Sequence, residues 1–351
     1  MKIAIIGDLH FGVKNSSPVM MDYQNKCFEF IFDVLEKNNC KTIFQLGDTF
    51  DSRRTTNMKT LKFAYDSFFD KLKEKNIDFH TVVGNHDIYY RENLDVHSVG
   101  LLLEQYDNVH VYDKPTRIEF DGIPFDFIPW VAKSNEDEIY DYIGKSNSRY
   151  ALGHFEINNF EVIVNSFFSG GSEAILFRRY RHVFSGHFHN AQTKYNITYV
   201  GTPYELNWGD AKSKKGFVMF DTETETWEFI QVPIKCFYQL YYDGAGEQSP
   251  IENIPSQSYI KVMVRNKIEP FLFEQYLNRL YQLSPTDLKV VEVQENQLFE
   301  QIENESIEQI EIKDTLNLIT QYIDQSGYQN KEELVGFMNG LYSEALTLQE
   351  F

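Results

Sequence analysis

IAIIGDLH (3–10) is a short apolar run that meets a glycine and then offers Asp8 and His10 two residues apart. The same design recurs in TIFQLGD (42–48), FHTVVGNHD (79–87), YALGHFE (150–156) and HVFSGHFH (182–189). Each run has strand length and ends in Gly followed directly by Asp, Asn or His. Between them, Tyr23 to Lys37 (Phe28, Ile31, Phe32, Leu35) and Lys59 to Lys75 (Phe63, Phe68, Leu72) carry apolar residues at helical spacing. Strands alternating with helices predict a layered α/β fold, in which strand ends gather functional groups at one edge of a sheet. Further on, ITYVGTPYEL (197–206), KGFVMFDTET (215–224) and TWEFIQVP (226–233) predict antiparallel strands and hairpins.

The polar residues at those strand ends are Asp8 and His10, then Asp48, then Asn85 with His86, then His154, then His187 and His189. A lone GD or HxH is an ordinary surface turn; five in series point to a metal centre. The glycine before each permits a tight turn or close backbone approach. Carboxylate, amide and imidazole ligands without thiolate suit Mn²⁺, Fe²⁺ or Zn²⁺. Two ions about 3.5–4 Å apart need a bridging carboxylate. Asp48, near the centre of the series, is the candidate, and a water acidified by both ions would attack phosphorus. Cys27, Cys40 and Cys236 are widely spaced, form no CxxC pair, and read as small buried hydrophobes in a reducing cytosol.

After Tyr242, DGAGEQSPIENIPS (243–256) has boundary-loop composition. YIKVMVRN (259–266), a helical stretch from Glu269 to Leu283 and LKVVEVQE (288–295) predict a small β–α–β unit beyond it. Residues 297–325 are strongly acidic, and 331–348 place Leu334, Phe337, Leu341, Ala345 and Leu348 on one helix face.

GDLH (7–10), GDTFD (47–51), GNHD (84–87), GHFE (153–156) and GHFH (186–189) resemble the five signature motifs of the calcineurin-like metallophosphoesterases. Within that superfamily the chain is most similar to the SbcD-type, or Mre-eleven family, DNA nucleases, including those of T-even phages. GDLHFGVK (7–14), GDTFDSRR (47–54), IPW (128–130), YVGTPYELNWGD (199–210) and KGFVMFDTETE (215–225) carry the narrower likeness. The resemblance implies a four-layer α/β/β/α sandwich over 1–234, a small α+β capping domain that binds DNA over 235–296, and a C-terminal helical segment over 297–351. It implies one metal held by Asp8, His10, Asp48 and His189, and a second by Asp48, Asn85, His154 and His187. His86 would contact the scissile phosphate or protonate the leaving oxygen. The family's activity is Mn²⁺-dependent: 3′-to-5′ exonuclease on double strands and endonuclease on single strands, in recombination, repair and replication. The C-terminal segment would dock on an SbcC-type, SMC-like coiled-coil ATPase, and a homodimer is expected. The chain departs from many cellular relatives in having Asp51, not His, three residues after Asp48, as phosphatases do; this predicts an Asp51–His86 dyad.

A net charge of −19 argues at first against a polyanionic partner. The excess is uneven, however: 19 acidic and 8 basic residues lie from Lys235 onward, against 33 and 25 before it. Arg53 and Arg54, Arg178, Arg179 and Arg181, and Lys212, Lys214 and Lys215 are candidate phosphate contacts. Trp130, Tyr204 and Trp208 are candidates for base stacking, with core packing favoured. His80, His97, His110 and His182 end no strand in the same manner and read as packed or surface residues. The opening residues form neither a signal h-region nor a membrane span, so a cytoplasmic protein is expected, in the host if phage-encoded. A small-molecule phosphodiesterase or a protein phosphatase is the rival activity. Against the phosphatase stand GNHD in place of GNHE and GDTFDSRR in place of GDxVDRG. A non-catalytic scaffold would not need all seven ligands.

Overall fold

The computed structural model describes residues 1–163, 166–244 and 249–292, together with Ile323, Lys331, Leu334, Val335 and Met338. Two six-stranded sheets face one another. The first runs Thr226–Gln231, Gly216–Asp221, Lys2–Ile6, Thr42–Gln45, Asp78–Val82, Val109–Tyr112. Its last four strands are parallel, and Gly216–Asp221 pairs antiparallel to both its neighbours. The second runs Gln192–Lys194, Ile197–Tyr199, His182–Gly186, Tyr150–His154, Ile123–Ile128, Thr116–Phe120, parallel at its centre and antiparallel at both edges. The expected hairpins are thus present, and Ile197–Tyr199 also adds a parallel pairing.

Strand periodicity builds the core. Ile3, Ile5, Phe44, Leu46 and Val82 of the first sheet meet Phe125, Phe127, Tyr150, Leu152 and Phe184 of the second in one buried cluster. Each such side chain withdrawn from water contributes about 1.5–3 kcal/mol before entropic costs. Helices cover the outer faces. Pro18–Lys37 starts with Ser17 accepting from Met20 N–H at 3.2 Å and proline in the first turn, and buries Cys27, Phe28, Ile31 and Leu35. The next helix, Met58–Ala64, continues through a π-helical turn, Tyr65–Phe69, into Asp70–Glu74. Apolar spacing alone predicts a regular helix here. The wider turn lets adjacent Phe68 and Phe69 both be buried, with Phe68 on Phe28 (4.9 Å between ring centres) and Phe69 on Phe79 (5.6 Å). On the second sheet, Glu136–Lys145 packs Ile139 and Ile143 against Phe177 and Val183. The layers are therefore α/β/β/α.

Phe237–Asp243, Tyr259–Asn266 and Asp287–Glu292 form a separate parallel sheet, and Pro270–Gln282 lays Phe273, Tyr276 and Leu280 on it. The Gly/Pro/Ser-rich stretch after Tyr242, expected as a boundary, instead joins two neighbouring strands of this sheet. Met1–Leu206 and Asp210–Glu292 make one compact unit. Apart from five helical positions, the acidic tail and the amphipathic helix expected at 331–348 lie outside the described residues. Among the described residues no helix is long and apolar enough to cross a membrane.

Candidate metal centre

The two sheets present their polar strand ends to a common crevice. Asp8 and His10 follow Lys2–Ile6, Asp48 follows Thr42–Gln45, Asn85 and His86 follow Asp78–Val82, and His154 and His187 end or follow strands of the second sheet. The loops are laced together by backbone bonds: Leu9 and His10 N–H both donate to Asp48 O at 3.0 Å, and Phe11 N–H to Thr49 O at 2.9 Å. His10, Asp48 and His187 have φ of 44°, 53° and 83°, a left-handed conformation costly for such residues. Two glycines make the approach possible. A Cβ on Gly47 would stand 2.6 Å from His154 Nδ1, and one on Gly84 2.3 Å from Asp48 Oδ1.

All seven candidate ligands converge. Asp8, His10 and His189 form one group, and Asp48, His154 and His187 another. In the first, Asp8 Oδ2 is 4.0 Å from His10 Nε2 and 3.7 Å from His189 Nε2. In the second, Asp48 Oδ2 is 3.2 Å from His154 Nε2, and Asn85 Oδ1 is 2.8 Å from His154 Nε2 and 3.1 Å from His187 Nδ1. The groups meet at Asp48, whose Oδ2 is also 3.8 Å from His10 Nε2.

These residues fit a divalent cation. His10 is fully buried; the Asp51 carboxylate stands beside its Nδ1, but among the described residues its Nε2 has no hydrogen-bond partner. His154 uses Nδ1 on the Leu46 carbonyl at 2.6 Å, which leaves the Nε2 lone pair facing the oxygens of Asp48 and Asn85. Acceptors aimed at acceptors call for a cation or a proton between them. His187 is anchored likewise, with Nε2 on Glu156 Oε1 at 3.1 Å and Nδ1 turned inward.

Charge organises the same groups. Burial alone would raise the Asp48 carboxyl; His154, His86 and His10 outweigh it and hold it well below the carboxylate range. Burial would depress His10 and His154, but Asp51, Asp48 and Asp8 raise the first to about 9, and Asp48 and Asp8 raise the second to about 9. Burial keeps His86 neutral, lowered to about 4, and with His10 and Lys215 holds His189 well below the usual value.

Asp51 and His86 are adjacent, but not as the expected dyad. His86 Nδ1 lies 2.6 Å from the main-chain carbonyl of Asp51, whose carboxylate instead stands 3.1 Å from His10 Nδ1. The loop turns the Asp51 side chain toward the first group of ligands. His86 N–H also donates to Asp48 Oδ1 at 2.7 Å, so His86 is fixed from both sides.

Trp130, Tyr204 and Trp208 are buried, which favours packing over stacking on bases. Trp130 rests on His187 and His154, with ring centres 5.2 and 5.8 Å away, and Tyr204 OH donates to the Leu9 carbonyl. Among the basic candidates, Arg54, Arg178, Arg179, Lys212 and Lys214 are exposed and Arg53 is half-buried. Arg181 pairs with Glu225 at 2.7 Å. Lys215 is buried and cannot reach a phosphate outside, a correction to its placement in a surface cluster. His80 and His182 are packed, His97 accepts from Gly100 N–H at 3.0 Å, and exposed His110 stacks on His80.

Composition and spacing missed several supporting residues. Buried Asp87 accepts from Thr49 and Gly84 N–H, each at 3.0 Å, and from Phe50 N–H at 3.2 Å, tying two ligand loops together. Burial and the Asp48 charge raise its carboxyl to about 7. Gln45 bonds Gly7 O at 3.3 Å and Gly47 N–H at 3.1 Å, bridging the loops of Asp8 and Asp48. Asp87 and Glu156 stand within GNHD and GHFE, so their place beside ligands was the available signal.

The model of the calcineurin-like phosphoesterase family matches residues 1–191, more than half of the chain and the span of every candidate ligand above. The chain belongs to the calcineurin-like phosphoesterases. It is therefore an enzyme of phosphoester hydrolysis, a family that works with divalent metal. It is 33% identical to exonuclease subunit 1 of Enterobacteria phage T4 over 350 residues, 98% of this chain and 99% of that protein. A solved archaeal phosphodiesterase aligns with 66% of this chain and 99% of its own at 14% identity and a TM-score of 0.33, too slight a likeness to bear on function.

Proposed function

We propose that the chain is a two-metal DNA nuclease subunit, an exonuclease on double strands and endonuclease on single strands, serving recombination and repair. The observation that carries the choice of DNA is full-length similarity to a phage protein named as an exonuclease subunit. The site supports the chemistry. Asp8, His10, Asp48 and His189 would hold one ion, and Asp48, Asn85, His154 and His187 the other, with Mn²⁺ suited to this mixed donor set. When bound, the pair supplies Lewis acidity that activates the attacking water and offsets phosphate charge.

The remaining steps belong to protein groups. Nδ1–H of His86 is engaged by the Asp51 carbonyl, so Nε2 is the atom left to meet the scissile phosphate or the leaving oxygen, a donor role that requires the ring to take up a second proton beside the bound phosphate. The Asp51 side chain is directed at His10, and only its main-chain carbonyl holds His86. Exposed Arg54 and half-buried Arg53, in the loop just after Asp51, would steady the DNA backbone. The relative's designation as a subunit supports a partner, for which an SbcC-type ATPase bound through 297–351 is the proposal. Such a partner would also supply DNA affinity to a chain of charge −19.

The test gives the protein Mn²⁺ with labelled duplex DNA, a cyclic nucleotide or a phosphopeptide, beside an Asp48→Asn control, with and without the ATPase. Cleavage of DNA that Asp48→Asn abolishes is expected. Turnover of the nucleotide or peptide with DNA left intact would establish the rival activity.

A further inference from the structure

Lys215 and Asp210 are an ion pair inside the protein. Each side chain is only 3% exposed, and Lys215 Nζ lies 2.5 Å from Asp210 Oδ1. The ammonium makes a second bond to the main-chain carbonyl of His189 at 2.7 Å. Asp210 is held in turn, its Oδ2 accepting from Leu206 N–H at 2.8 Å. Desolvating two charges costs about what their attraction returns, so a buried pair contributes little net stability. What it does contribute is a fixed geometry.

That geometry falls where the sheet stops holding the chain. The strand carrying the ligand loop ends at Gly186, and His187 then adopts a left-handed φ of 83°. Past this point the loop backbone is tied at His187 N–H, which donates to both Asp8 oxygens at 3.1 Å, and at the His189 carbonyl. That carbonyl takes Lys215 Nζ and, at 3.3 Å, Thr202 N–H. A charge-assisted bond is the stronger of the two kinds. Lys215 immediately precedes the strand Gly216–Asp221, which pairs with Lys2–Ile6, the strand leading to Asp8 and His10. The ammonium thus references His189 to the element that carries the other ligands of its group.

We propose that Lys215, with Asp210 as its counter-charge, is a positioning residue for His189 and so sets the affinity of the first metal position. This rests on the two-ion reading of the site.

Manganese titration calorimetry on the full chain tests it, using wild type, Lys215→Met and the double variant Lys215→Met/Asp210→Asn, with apo-protein melting measured alongside. His189→Asn, which removes the ligand itself, marks the isotherm of the first ion. The double variant leaves no uncompensated charge and keeps an acceptor for Leu206, so it is the decisive species if Lys215→Met fails to fold. The expected result is two ions for wild type and, in both variants, a first ion weakened at least about tenfold with the second unchanged. The double variant should recover most of the melting temperature lost by the single one without recovering the first ion. First-ion affinity within about twofold of wild type in the double variant would overturn the proposal. Loss of both ions in step with melting temperature would also overturn it, since that is a merely structural role. Fewer than two ions in wild type would instead sink the two-ion reading.

Discussion

The carboxylate of Asp51 stands 3.1 Å from Nδ1 of His10. A ligating histidine is oriented, and made more basic, by what its other nitrogen touches. Asp51→Asn should therefore act on metal binding, weakening the first ion about tenfold while leaving the second in place. Calorimetry reads this directly. Were Asp51 instead the partner of His86, metal affinity would stay as in wild type and only turnover would fall.

His86 itself should behave in the opposite way. His86→Ala keeps all seven ligands, so two ions should still bind with near wild-type affinity. Turnover should drop by about a hundredfold to ten-thousandfold, the usual worth of a positioned proton-transfer group. Rapid DNA cleavage by this variant, in a single-turnover assay with saturating Mn²⁺, would remove His86 from the chemistry.

Glu156 has the same relation to His187 that Asp51 has to His10, at 3.1 Å from Nε2. The prediction mirrors the first: Glu156→Gln weakens the second ion about tenfold and spares the first. Titrating Asp51→Asn and Glu156→Gln side by side therefore separates the two metal positions. Equal effects of both variants on both ions would mean that the positions are not independent.

The layered α/β fold and the gathering of polar strand ends were legible in the sequence because both depend on local pattern. Apolar runs ending in Gly and a polar residue mark strand ends, and a parallel sheet gathers those ends at one edge. What spacing could not give is which atom of a residue makes a contact. Asp51 is three residues from Asp48 and beside His86 in space, yet a loop torsion decides that its carbonyl meets one histidine and its carboxylate another. Lys215 reads as surface beside Lys212 and Lys214; a buried partner five residues earlier, Asp210, takes it inside. The π-helical turn at Tyr65–Phe69 escaped for a related reason, since apolar spacing does not register one residue added to a turn.

Away from the candidate metal centre, Asp126 offers a test of fold without function. This fully buried carboxylate accepts from Tyr180 OH at 2.9 Å, Tyr142 OH at 3.0 Å, Ser148 Oγ at 2.5 Å, Arg117 Nε at 3.2 Å and also Ser146 Oγ. Asparagine would bring an NH₂ donor into a ring of donors and leave the guanidinium without its charge partner. The guanidinium is more than a third exposed, so the loss falls on the buried hydroxyl donors, and Asp126→Asn should cost about 1–3 kcal/mol in urea unfolding. Metal stoichiometry of the folded fraction should not change; a lost ion would show that this end of the sheet governs the site.

His80 sets a pH dependence of stability. Buried among Phe44, Phe120 and Phe127, with Nδ1 2.7 Å from Tyr112 OH, it is held down to about 3 by desolvation first and the neighbouring His110 second. It stays neutral in the folded chain, while in the unfolded chain it takes a proton near 6.5. Between those values the unfolded state binds more protons, so stability must fall as pH drops below 6.5 and recover as pH rises. The slope from this one group is at most about 1.4 kcal/mol per pH unit. In apo protein, His80→Gln should flatten the unfolding free energy between pH 6.5 and about 4 relative to wild type, whatever its effect at neutral pH. Parallel curves for the two proteins would show that His80 is charged in the fold or already shielded in the unfolded chain.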